Sequence, residues 1–173
     1  MEVKIRIKGV HNYAFLDNML LQAISFSEYG WGYTTVDSVL VEKYGFKKIK
    51  PDICLNEINF LPIKDIAHTR GFYSTVFCVY KGYKCQFMSS TFNEENQTFC
   101  MRLSPDLALT MGIDGYRWGH ETPSMDVPLS DLDEIYRHRE KLDDFIFDVD
   151  PIKPIYKDGK WLIEPDENGV YVI

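Results

Sequence analysis

The chain has 173 residues, 45% of them apolar, with 19 Lys and Arg against 26 Asp and Glu for a net charge of −7. At this length folding buries about 70% of the surface the unfolded chain exposes, so the core needs no covalent staples and a disulfide-dependent miniprotein is excluded. Apolar runs such as Met19-Leu20-Leu21 are short, against the roughly 20 residues a membrane-spanning helix needs or the roughly 7–15 of a signal peptide, so no membrane or export segment is expected and the chain reads as cytoplasmic.

The surplus of acid argues against DNA as a partner, because neutralising phosphates takes Lys and Arg gathered on one face. It is also uneven. Residues 1–86 carry 11 basic and 8 acidic side chains, and residues 87–173 carry 8 and 18. A field of that asymmetry steers a basic partner toward the second half. No repeat recurs and Gly, Pro and Ser never gather into a linker, so a single globular domain over 1–173 is expected.

In chain order, Val3, Ile5 and Ile7 alternate with Lys4, Arg6 and Lys8, which predicts a half-buried strand. Asn12 then stands before a run in which Phe15, Met19 and Ala23 form one helical row and Leu16, Leu20 and Ile24 the next, predicting a helix to about Ser27. A shorter helix is expected from Thr35, with Thr34 and Asp37 spaced as a capping box and Gly45 just past its end. Lys43, Lys47, Lys48 and Lys50 crowd that end, where they favour the helix dipole without any ligand.

From Asp52 the pattern turns to strands: Ile58 to Leu61, Phe72 to Tyr80, Tyr83 to Phe92 and Thr98 to Leu103. Lys81-Gly82 is a two-residue turn that sets Tyr80 opposite Tyr83, Val79 opposite Lys84 and Cys78 opposite Cys85. Ser104-Pro105 opens a short helix that Gly112 ends. After an irregular stretch from Ile113 to Leu129, Ser130 and Asp133 open a predicted helix with Leu132, Ile135, Tyr136, Leu142 and Phe145 facing inward and Asp133 paired to Arg137. Asp158-Gly159 and Asn168-Gly169 return the chain to strands. The expected fold is α+β, an antiparallel or mixed sheet with about four helices.

Motifs for chemistry are sparse. Gly30-Trp31-Gly32 lacks the third glycine of a dinucleotide fingerprint, and no phosphate loop or serine elbow occurs. Cys54, Cys78, Cys85 and Cys100 have no CxxC spacing and no two His lie three to five apart, so no cofactor and no metal are expected, and the thiols read as free. Asp143, Asp144, Asp148 and Asp150 form the densest acidic cluster, more suited to a solvated face or a basic partner than to a cation.

Two stretches set aromatics between glycines: one holds Trp31 and Tyr33, the other Tyr116, Arg117, Trp118, His120 and Glu121. Tyr, Trp and Arg dominate interface hot spots. Together with the aspartates these residues make the candidate partner-binding set. The compositional profile is that of a small acidic protein-binding module, an inhibitor or immunity-type protein that occludes a basic partner such as a toxin or nuclease. The alternative is a small enzyme or ligand-binding domain whose cleft uses His120, Glu121 and Arg117, with His68 and Arg70 as a weaker second pair.

Overall fold

The computed structural model describes residues 2–113 and 123–173. β1 (Lys4–Arg6) comes from the alternation around Ile5. β2 (His11–Leu16) and β3 (Met19–Phe26) then occupy the span expected to be helical. They turn through Asp17, whose φ of 53° is left-handed, and pair from Leu16↔Met19 to Asn12↔Ala23. Both strands have neighbours on each side, so apolar residues serve both faces and a near-continuous apolar run hides the period of two.

β4 (Gly30–Thr34) leads into α1 (Ser38–Tyr44). The helix starts three residues later than expected, because Asp37 and not Thr34 is its cap. The Asp37 carboxylate accepts from the amides of Val39 and Leu40 at 2.8 and 3.3 Å. Gly45 ends it at φ 72°, where an L side chain would be strained. β5 (Lys47–Ile49), β6 (Ile58–Pro62), β7 (Gly71–Tyr80), β8 (Tyr83–Asn93) and β9 (Thr98–Arg102) follow. The β7–β8 hairpin has the expected register, with Cys78 opposite Cys85 and Tyr80 opposite Tyr83. α2 (Pro105–Thr110) is capped by Ser104, whose hydroxyl accepts from the Leu107 amide.

β10 (Ser124–Pro128) precedes β11 (Leu132–Lys141), a strand where the last helix was expected. Its register shifts between Ile135 and Tyr136. Buried Leu132 directly follows a 3-10 turn over Leu129–Asp131 and stands three residues before buried Ile135, which mimics helical spacing, while the extra residue at the register shift is Ile155 on the partner strand. Asp133 and Arg137 are accordingly not partners: the Asp133 carboxylate accepts from the Gly82 amide, and Arg137 donates to the Lys8 and Ile173 main-chain oxygens at 2.7 and 2.9 Å. β12 (Ile152–Lys157), β13 (Lys160–Trp161) and β14 (Val170–Val172) complete the chain. With 52% of the described residues in strands, 12% helical and two α-helices among them, the protein is predominantly antiparallel β-sheet, which corrects the α+β expectation of about four helices.

The chain sorts into two compact units. The first comprises residues 1–10, 75–138 and 151–173. Here β8 pairs with β9 and β9 with β10, β11 pairs with β12, and β1 lies parallel to β14. Its core holds Phe99, Met101, Leu103, Leu107, Ile135, Ile155 and both Cys78 and Cys85. The second comprises residues 11–74 and 139–150, with the order β2-β3-β4-β6-β5 and a core of Ala14, Ala23, Tyr33, Phe46, Ile63 and Phe145.

Candidate functional site

The acidic cluster lies in the second unit, on a loop fixed at several points. After β11 the chain turns at Asp144, whose φ is 70°. Phe145, 4% exposed, then drops inward. Its ring meets Trp31 edge to face, centroids 5.2 Å apart, and lies over Gly71 so closely that a Cβ there would stand 2.5 Å from Phe145 Cδ1. The Ile146 amide donates to the Thr69 carbonyl at 2.9 Å, and the Gly71 amide donates to the Ile146 carbonyl at 3.0 Å. Arg70 and Ile146 thus form a parallel bridge just ahead of β7.

Two arginines complete the fixing. Arg70 Nε lies 2.7 Å from both carboxylate oxygens of Asp148 while its guanidinium rests 4.2 Å above the Phe15 ring. Arg139 Nε donates to the Asp150 carbonyl at 2.7 Å. Asp148 is therefore neutralised by a charge-assisted contact. Asp143, Asp144 and Asp150 are exposed, and no ion pair holds Asp143 or Asp144 among the described residues. Beside the Thr69 segment, Asp65 accepts from His68 Nδ1 at 2.9 Å. That hydrogen bond holds the Asp65 carboxyl below the usual carboxylate range.

The structure thus joins Trp31 to the aspartate loop through Phe145, and separates Tyr33 from solvent. Tyr33 is 5% exposed, its hydroxyl donates to the Phe15 carbonyl at 2.8 Å, and burial pushes its phenol up. Trp31 is half-buried, lying under the loop and not standing clear of it. Tyr116, Arg117, Trp118, His120 and Glu121, on which the enzyme alternative rests, lie outside the described residues. His68 and Arg70 do not form the expected pair, since each holds a different aspartate. His11 and His138 are half-buried in strands, where His11 Nδ1 meets Gln22 Nε2 and the His138 ring meets Phe77. Among the described residues no group of three or more His, Cys, Asp or Glu is placed to hold a metal ion.

Sequence reasoning missed Arg70, Gly71 and Phe145 as the parts that hold this loop. Arg70 and Asp148 are 78 residues apart, and nothing local in either segment signals the contact. What the coordinates define is a predominantly antiparallel β-protein that presents a firmly held acidic loop. No protein-family model, no curated protein and no solved structure matches this chain. Among the described residues, no helix is long and apolar enough to cross a membrane. The narrower expectation of an inhibitor or immunity protein has no support and is set aside.

Proposed function

We propose that the chain is a protein-binding module that docks a basic partner through the 143–150 loop, in the cytoplasm. The observation that carries the reading is the combination of unpaired Asp143 and Asp144 with a backbone held by Phe145, Ile146 and two arginines. Exposed charge acts mainly on encounter, and a pre-fixed loop gives up little conformational freedom on binding. No Lys or Arg occurs between Lys141 and Lys153, so the local field is uniformly negative save where Arg70 and Arg139 reach in. Tyr116, Arg117, Trp118, His120 and Glu121 belong to the same proposal on composition alone, as residues of the type that anchor interfaces.

The test is kinetic. Basic proteins retained by the immobilised chain from its source cell are purified, and association is followed between about 20 and 150 mM salt, where the Debye length shrinks to about 8 Å. Wild type should associate at least about tenfold more slowly at the higher salt, and Asp143→Lys with Asp144→Lys should remove most of that dependence. Association that ignores both salt and charge reversal would overturn the reading.

A further inference from the structure

A cavity of about 350 Å³ opens in the first unit beside β8 and β9, and its lining carries Lys84, Gln86 and Arg102 with no carboxylate among the described residues. Three features of the sequence build it. Cys78 and Cys85 face each other in the core, so their chain neighbours Phe77, Lys84 and Gln86 project from the opposite face of β7 and β8. Gln86 is paired in register with Arg102 on β9. Beyond Arg102 the chain turns into α2, where exposed Pro105 supplies an apolar wall.

The cations are held in place. Lys84 Nζ sits 3.8 Å above the Phe77 ring centroid, and Phe77 is in turn flanked by Tyr136 and His138 with ring centroids 5.9 and 6.3 Å away. Arg102 Nε lies 3.1 Å from Met88 Sδ, a weak acceptor that leaves the rest of the guanidinium fork open. Neither cation meets a carboxylate among the described residues. In a chain of net charge −7, two unneutralised cations flanking one amide over an aromatic floor are an unusual concentration.

Two other hollows among the described residues lack this combination. One of about 550 Å³ beside β5 has Glu57 in its lining with Lys48 and Lys50, so its charge is offset. Another of about 170 Å³, lined by residues from Ile7 to Ser90, contains no charged side chain.

We propose that the Lys84–Gln86–Arg102 cavity binds a small organic anion, its carboxylate or phosphate head held between the two cations and its flat apolar body against Phe77 and Pro105. The volume lies at the lower end of small-molecule sites, which are mostly apolar with a few placed polar groups. An Arg fork matches either head in bidentate fashion, and Lys supplies a point charge for it. The Gln86 amide gives a neutral donor between them.

Titration of the isotope-labelled protein followed by amide resonances tests this with four probes: 2-naphthoate, 2-naphthyl phosphate, the uncharged 2-naphthylmethanol, and inorganic phosphate. One of the two naphthyl anions should saturate with a Kd below about 1 mM, shifting the amides of Lys84–Gln86 and Arg102–Ser104, and whichever is tighter names the head. The uncharged probe and inorganic phosphate should each bind at least roughly tenfold more weakly. Lys84→Met and Arg102→Met are at exposed positions, so folded variants are expected, and each should weaken the tighter anion by roughly tenfold. Failure of both naphthyl anions to saturate, equal affinity for 2-naphthylmethanol, shifts confined to other residues, or folded variants that bind like wild type would each overturn the proposal.

Discussion

Gly71 shows how much one missing side chain decides. A methyl group there would stand 2.5 Å from the Phe145 ring and 3.0 Å from the Tyr13 carbonyl, so either the ring or the β2 backbone would have to move. Overpacking of this kind costs about 1–3 kcal/mol. Gly71→Ala should therefore lower stability by that amount in a denaturant melt and alter the Trp31 environment, since Trp31 packs on the same ring. A stability within about 0.5 kcal/mol of wild type would show that Phe145 is not wedged against this backbone. None of this was legible from the sequence, where Arg70-Gly71 reads as punctuation before a strand. The acidic residues were legible because four aspartates within eight positions are visible as density, whereas Arg70, which holds Asp148, lies 78 residues away from it.

Single elements were readable where the signal is local. The turns Lys81-Gly82 and Asp158-Gly159, with φ values of 50°, 80°, 49° and 78°, and the Ser104-Pro105 start of α2 depend on two or three adjacent residues. Reading failed where the surroundings reshape the pattern: β2 and β3 are interior strands, and β11 starts straight from the 3-10 turn over Leu129–Asp131. For α1 the error was one of boundary, and it can be checked. Asp37→Ala removes the carboxylate that accepts from Val39 and Leu40, and should cost about 1 kcal/mol. Amide exchange at Val39 and Leu40 should quicken in that variant and stay unchanged in Thr34→Ala, because Thr34 lies in β4 and caps nothing. Equal effects of the two substitutions would restore the cap to Thr34.

At the scale of the whole chain, the long-range joins carry the architecture. Arg137 is 8% exposed and donates to main-chain oxygens of Lys8 and Ile173, at 2.7 and 2.9 Å, so one guanidinium serves the ends of two segments far from it in sequence. Hydrogen bonds from a charged donor contribute about 1.5–3 kcal/mol, and their loss takes a donor from the part-buried Lys8 carbonyl while the Ile173 oxygen keeps the Lys8 amide. Arg137→Met should thus destabilise the protein by about 3 kcal/mol, read as a lower denaturant midpoint with an unchanged slope. A loss below about 1 kcal/mol would mean that water replaces the guanidinium at both oxygens.

The parallel pairing of β1 with β14 also orders events during synthesis. Tyr171, the partner of Ile5 in register, is added 166 residues after it. At about 5–20 residues per second the wait is roughly ten to thirty seconds. During that interval the single register contact of β1 outside β14 is Arg6 with Thr91 on β8. One flank of β1 therefore stays open over that interval, and the first unit closes only when the segment around Val170–Val172 emerges.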